Sequence, residues 1–574
     1  MTATLSHVRP PSRWIEPPVV DAADVARLRE ALHLPQVVCQ LLAQRGYSDV
    51  EAAKRFLRPK LDHVGSPYDL LGMTIAVERL VRAVRAGEVI MVHGDYDVDG
   101  MCSTALLVRA LRQLGGSVVP FIPHRLTDGY DLTDAGVRAA IGHRARVVLT
   151  ADCGTSALPA IAALCDAGID VIVSDHHLPG GPLPACVAIL NPKQPGCPSP
   201  DKDFAAVGIA FKLALAVTRA MGGSEGFVFA LLDFVALATV ADLAPLRGEN
   251  RVFVRFGLKV MAETTHVGLR ALIRASGLEG KPLTAGRIGY ILGPRLNAVG
   301  RLGDPMRGVQ LLLTDDPAEA NEIARELEEM NQRRQSLDRS TLDEAMRIVD
   351  GVNLDETYGL VIARQGWHAG VIGIVASRIV EQVSRPVVMV ALDGETGKGS
   401  GRSISAFDLH AGLSACRMHL ERFGGHRAAA GITVRTALVP ALQAAFNDIA
   451  RRELAADQLV PEQRIDLEVA PDDVTDELEK LLQYFEPHGL GNPTPTLALR
   501  GARIDTAPRR IGSTDGVRTA VSTERGSIAA IGWRLGERAK LLDPAAPVDL
   551  AFRLDRDDYR GADRLQLTLV DVRR

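Results

Sequence analysis

The chain has 574 residues, 66 of them basic and 70 acidic, for a formal charge of −4. Apolar residues make up 47% and charged residues 24%, an ordinary globular composition that excludes a disordered, collagenous or disulfide-scaffold protein. The near-neutral balance excludes a histone-like polycation, while a local basic groove remains open to it. Seven cysteines, odd in number and never spaced CxxC, point to a reducing compartment, the cytoplasm. No stretch is long and apolar enough for a bilayer: Phe227–Ala241 is short and carries Asp233.

The first fifty residues are Pro-rich, then helical in pattern, and carry no recognisable chemistry. From Glu88 to Pro192 short β-branched runs alternate with helical patterns. The run Glu88–Val92 leads through an acidic loop into a helix at Met101–Gly116, and the strands Arg146–Asp152, Asp170–His177 and Val187–Pro192 follow. This alternation predicts βαβ units and a parallel sheet. Apolar helices are expected at Ala205–Met221 and Gly226–Thr239. Asp316–Asp350 reads as one charged helix about 50 Å long, a strut between two lobes. A second alternating region follows, with two glycine-rich loops expected at Asp393–Ser403 and Gly424–Gly431. After Leu459 short strands with frequent turns suggest a small barrel, and Arg500–Arg574 holds 15 Lys/Arg against 11 Asp/Glu. The expected limits are 1–60 for an N-terminal extension, 61–270 for a catalytic domain, 271–350 for a connector, 351–457 for a second α/β domain and 458–574 for the barrel.

The sharpest feature is His93-Gly-Asp95-Tyr-Asp97-Val-Asp99-Gly100, where a strand gives way to a helix. Three carboxylates in five residues repel one another unless a cation neutralises them. The spacing also opens like an EF-hand loop, but the twelfth position is Leu106, where a bidentate Glu is required. Asp152, Asp175-His176-His177 and Asp242 mark later segment ends. Each alone could be a helix cap or a satisfied loop residue. Together, the first two at the carboxyl ends of parallel strands and Asp242 in an apolar run where an unpaired carboxylate is costly, they predict one crevice. Such a cluster can hold two divalent cations, Mn²⁺ or Mg²⁺, suited to phosphoester hydrolysis. Cys153 is read as packing. Arg125 and Tyr130 lie on a loop at a strand end, suited to a terminal phosphate and a stacked base. Ser400 and Arg402 in a glycine-rich segment suit a phosphate, and Arg295, Arg301 and His426 are further backbone-contact candidates. Trp533, Phe552 and Tyr559 are stacking candidates in the barrel, with core packing the commoner use of such residues.

His93–Gly100, Asp152, Asp175–His177 and Asp242 together resemble the four N-terminal motifs of the DHH phosphoesterase superfamily. Gly293–Arg301 resembles the segment that follows that domain in its single-strand-specific exonucleases of the RecJ family. Gly399–Ser403 and Gly424–His426 resemble the companion DHHA1 domain, and the β-rich end stands where that family carries an OB-fold. The resemblance implies two α/β domains joined by a long helix, an OB-like barrel, and 5′→3′ degradation of single-stranded DNA to mononucleotides in recombination and repair. It implies Asp97, Asp99, Asp152, His176 and Asp242 as metal ligands, with His93 as a further candidate. Asp95, Asp175 and His177 enter as ligands or their supports, and His177 as a contact to the scissile phosphate. It also implies a helicase and a single-strand-binding protein as helpers. The alternatives are a phosphoesterase for oligoribonucleotides or cyclic dinucleotides, and a non-catalytic DNA-binding scaffold.

Overall fold

The computed structural model describes residues 12–125, 127–511, 515–524, 526–557 and 563–574. The chain forms two compact units. One comprises residues 51–332 and 484–494, and the other the remainder.

The first unit is built on five strands: β1 Val89–Gly94, β2 Ser117–Phe121, β3 Val147–Ala151, β4 Asp170–Ser174 and β5 Ala188–Leu190. They are all parallel, in the order β2-β1-β3-β4-β5. The near-continuous apolar runs of β1, β3 and β4 are buried, as strands covered on both faces must be. Helix α1 Val98–Gln113 packs into the core on one face of the sheet, and α2 Asp134–Gly142 and α3 Leu158–Asp166 into the core on the other. Helix α4 Ala206–Ala220 has 13 buried residues, and α5 Leu232–Ala241 is apolar nearly all round. The single helix expected at Gly226–Thr239 is interrupted: Glu225–Ala230 ends at Leu231, and α5 begins after it. Downstream, a π-helical turn at Ile288–Leu292 runs directly into α6 Gly293–Leu302.

Helix α7 is the expected long helix, Pro317–Val349, 33 residues, or about 50 Å at 1.5 Å per residue. The boundary between the units falls within it.

In the second unit β6 Leu360–Gln365, α8 Ile372–Val383, β7 Val387–Asp393, β8 Thr396–Arg402, β9 Arg422–Gly425, β10 Ala429–Arg435 and α9 Val439–Glu453 form an α/β domain. Its sheet runs β9-β10-β8-β7-β6. The first of the two glycine-rich loops expected here is a strand, and the second is a hairpin that turns at residues 426–428. Gly397, Gly399 and Gly401 alternate along β8, and a Cβ at each would meet Val390, Ile432 or Leu409 at 2.5–2.9 Å. The glycines make room for large neighbours, so a composition typical of loops fills a close-packed ladder.

The C-terminal barrel contains β11 Leu497–Ala502, β12 Ile504–Ile511, β13 Gly516–Thr523, β14 Gly526–Gly532, β15 Val548–Asp557 and β16 Arg564–Arg573. Their order is β11-β15-β16-β14-β13-β12. Because β11 and β12 are separated by one residue, the two ends of that order are one bent strand, as in an OB-fold. Phe552 is fully buried, Trp533 is 53% exposed, and Tyr559 lies outside the described residues. The N-terminal segment has a structural role its composition did not reveal. Arg13–Ile15 pairs in parallel with Glu462–Arg464, and the Trp14 indole donates to Asp571 at 2.8 Å beneath the Arg573 guanidinium.

Candidate metal centre

The loops at the carboxyl ends of β1, β3 and β4 converge. Gly94 pairs with Ala151, so the next residues, Asp95 and Asp152, emerge side by side. Asp97 is the N-cap of α1, its Oδ1 accepting from the Asp99 and Gly100 amides at 2.9 and 3.1 Å. Gly100 is required: a Cβ there would lie 2.4 Å from the Asp95 carbonyl oxygen. Asp99 turns to the start of α4, where it accepts from the Ala206 and Val207 amides at 2.7 and 2.9 Å. Asp152 holds a left-handed backbone, φ 72°, a conformation disfavoured for residues other than glycine and frequent at functional sites.

Three groups of side chains bring ligand atoms within 4.8 Å of one another: Asp95 with Asp97 and Asp152; Asp99 with His176 and Asp242; and Asp152 with His176 and His177. The third group links the first two through Asp152 and His176. His93 stands behind the cluster and in none of these groups. Its fully buried ring packs on Phe121, with Nδ1 3.5 Å from Cys153 Sγ, and burial lowers its pKa to about 4.

Asp175 is a support. Its Oδ1 accepts from the His176 and His177 amides and from His177 Nδ1 at 2.7 Å, while Oδ2 accepts from the Thr155 amide. Burial disfavours its charge, but the His177 hydrogen bond prevails and holds it below the usual carboxylate range. Burial likewise opposes a charged His177, yet Asp175 raises it to about 9. The resulting imidazolium donates from Nδ1 to Asp175 and from Nε2 to the Tyr130 hydroxyl at 3.1 Å.

His176 is the opposite case. Burial, then the charge of His177, lower it to about 4, so the ring is neutral at pH 7. Its Nδ1–H donates to the Phe204 carbonyl at 2.8 Å, which leaves a lone pair on Nε2. That lone pair faces Asp152 Oδ1 at 3.2 Å and Asp242 Oδ2 at 3.9 Å. A lone pair and two carboxylates pointing at one another are repulsive unless a cation lies among them, and a carbonyl-anchored histidine is the usual way a protein presents Nε2 to a metal. Asp95 Oδ1 and Asp152 Oδ1 are buried without a hydrogen-bond donor. Burial and mutual repulsion raise Asp95 and Asp152 well above the carboxylate range, Asp99 to about 7 and Asp242 to about 9. The donor set therefore fits divalent cations.

A cavity of about 200 Å³ opens over this cluster, lined by Asp97, Asp99, Asp242, Arg125, Asn297 and Arg301 among others. Arg125 lies over the Tyr96 ring at 5.1 Å, and Tyr130 is half-exposed beside His177. Arg295 is instead tied to Glu328 at 2.5 Å and to the Ile291 carbonyl. In the second unit, Arg402 donates to Ser400 Oγ at 3.0 Å, and both face the first turn of α8 at Gly373. His426 is exposed on the turn between β9 and β10.

Three supports went unnoticed in the sequence. Asn297 accepts from the Val98 amide at 3.2 Å, beside Gly300, where a Cβ would lie 2.0 Å from the Tyr96 carbonyl. Asp131 accepts from the Gly154 amide at 2.7 Å and so fixes the turn after Asp152. Asn191 donates to the His177 carbonyl at 2.8 Å. None belongs to a dense motif; the only available signal was the asparagine inside Gly293–Arg301.

Three family models match the chain: the DHH family N-terminal domain over residues 89–239, the DHHA1 domain over 356–452 and the RecJ OB domain over 465–571. The single-stranded-DNA-specific exonuclease RecJ of Bacillus subtilis is 36% identical over 564 residues, 98% of this chain and 70% of that protein. This chain belongs to the RecJ family. Its Escherichia coli relative is 34% identical over 561 residues, 94% of this chain and 96% of that one. The crystal structure of Thermus thermophilus RecJ in complex with Mn²⁺ superimposes with a TM-score of 0.84 at 32% identity, covering 98% and 80% of the two chains. The Mg²⁺ complex gives 0.77 at 31% identity.

Proposed function

We infer that the chain is a metal-dependent exonuclease acting on single-stranded DNA. The observation that carries this reading is the neutral His176 imidazole, anchored through Nδ1, whose Nε2 lone pair faces two carboxylates beside buried, donor-less oxygens of Asp95 and Asp152. We assign Asp95, Asp97 and Asp152 to one cation, and Asp99, His176 and Asp242 to the other. Mn²⁺ or Mg²⁺ bound there lowers the pKa of a water and neutralises charge on phosphate oxygens.

The chain's own residues do the rest. Asp175 and Tyr130 hold His177 as an imidazolium beside Asp152 and His176, where its positive charge suits a phosphoryl oxygen. Arg125 and Arg301 line the same cavity and suit the phosphates of the strand. Ser400 and Arg402 suit a further phosphate. Supporting a long substrate over a dinucleotide, one outward row crosses the barrel sheet: Arg509 opposite Arg518, then Ile531, Thr568 and Arg553. Two arginines directly opposite on neighbouring strands repel, and a polyanion relieves that repulsion.

We further propose 5′→3′ polarity, release of mononucleotides, a role in recombination and repair in the cytoplasm, and assistance by a helicase and a single-strand-binding protein. Among the described residues no helix is long and apolar enough to cross a membrane. Digestion of oligonucleotides labelled at either end, with Mn²⁺ or chelator, tests the reading. Release of a labelled mononucleotide at once from the 5′ end and only late from the 3′ end is expected. Equal rates on blunt duplex, or turnover in chelator, would refute it.

A further inference from the structure

Asp242 closes helix α5 through a turn in which the Leu243 amide donates to the Val240 carbonyl at 3.3 Å and the Ala244 amide to the Thr239 carbonyl at 3.1 Å. This is a Schellman ending, whose left-handed position is normally glycine. Here that position is Leu243, φ 59°, and it is 66% exposed. A leucine gains little burial there and strains the backbone, so the fold alone does not account for it.

The neighbouring element repeats the pattern. In the π-helical turn Ile288–Leu292, Gly289 and the adjoining Gly293 lie toward the end of α5: a Cβ on Gly289 would sit 3.5 Å from Val240 Cγ1, and one on Gly293 3.2 Å from Ala241 Cβ. Tyr290, between these glycines, is 86% exposed. Single π turns are rare and concentrate at functional sites. The same helical run continues into Asn297 and Arg301 at the cavity, Asn297 lying about 10 Å further along.

Two large apolar side chains are thus held out beside the end of α5, which carries Asp242, each by an uncommon backbone device. The polar cavity suits phosphate and offers the attached bases little apolar surface on this side. We propose that Leu243 and Tyr290 form a lip that contacts nucleobases of the strand seated at the metal centre, which rests on the functional reading above. Tyr290 supplies a ring for stacking, which every base accepts, and Leu243 an apolar edge against the same strand. The occupant is the substrate's own bases because the lip is continuous with the residues that hold its phosphates.

The test compares an oligothymidylate with an abasic strand of equal length, digested with Mn²⁺ by the full chain and its variants. Leu243→Gly removes the side chain and the backbone strain together, so it preserves the fold. Tyr290→Ala is expected to lower kcat/KM on the oligothymidylate about tenfold, and Leu243→Gly a few-fold. On the abasic strand both variants should match wild type, and Tyr290→Phe should restore the preference for bases. Equal losses on the two strands, or no loss on either, would overturn the lip. So would a concentration-dependent dimer abolished by Tyr290→Ala, since the patch would then seat a second copy. A wild-type chain inert on both strands would refute the exonuclease reading itself.

Discussion

The metal centre and the barrel sheet recruit charge in opposite ways. At the centre, Asp95, Asp99 and Asp152 are at most 3% exposed, and backbone amides fix the directions of Asp97 and Asp99. On the barrel, Arg509, Arg518 and Arg553 are exposed, on three strands, with a carboxylate near Arg518 at 3.9 Å. Burial makes each member of the first set irreplaceable, because like charges in a low-dielectric site have no other compensation. Exposure makes the second set additive and salt-sensitive. Substitutions should therefore fall into two classes.

The largest loss is expected at the centre. Asp97→Ala removes a carboxylate from the first metal group and the N-cap of α1. Turnover should fall on the order of a thousandfold or more, while binding of single-stranded DNA in chelator stays close to wild type. Calorimetric titration should show one fewer Mn²⁺ bound tightly. Unchanged turnover would remove the basis of the metal assignment.

Next in size is the support of His177. Asp175→Asn keeps the shape and removes the charge that maintains the imidazolium. A loss of about 10–100-fold is expected, with the alkaline limb of the pH–rate profile moved to lower pH because the ring loses its proton earlier. An unshifted profile would show that His177 does not act as a cation.

The contrast also sets the response to pH. In chelator, Asp99 and Asp242 titrate near 7 and 9, above ordinary carboxylates, and His177 near 9, above ordinary histidine. A group whose pKa is raised on folding contributes stability below its unfolded value and loses that contribution as pH rises through its folded value. The metal-free protein should therefore melt at lower temperature at pH 9 than at pH 7. His93 and His176, lowered to about 4, act the other way: their contribution is present above about 6.5 and is lost as pH falls toward 4. Mn²⁺ should abolish the alkaline loss and bind more tightly as pH rises, releasing protons measurable from the buffer dependence of the binding heat.

These two regions also differ in how much of them the sequence discloses. His93–Gly100 was legible because three acids crowded into five residues at a strand end repel one another and so demand a cation. The parallel sheet was legible because its strands read as apolar runs. Asp131, Asn191 and Asn297 were not, since each is one ordinary polar residue whose role depends on a distant backbone group. His93 entered as a ligand candidate through the resemblance; its buried ring packs on Phe121 and beside Cys153, and it belongs to none of the three ligand groups. The strand β8 was hidden by glycines that serve packing. The arginine row was invisible because it exists only through register: Arg509, Arg518 and Arg553 are separated in sequence and brought into one row only across β12, β13 and β15.

That row gives the smallest effects. Arg509→Ala or Arg553→Ala should leave hydrolysis of a short oligonucleotide unaltered and weaken binding of a long strand only a few-fold. Each should reduce the slope of log affinity against log salt by about 0.7, the expectation for one phosphate contact with a single strand. Arg518→Ala sharpens the comparison, because it also relieves the opposed pair with Arg509 and should stabilise the free barrel slightly while weakening its DNA complex. A melting temperature that falls in this variant would mean that Asp557, and not a polyanion, is the partner the row was built around.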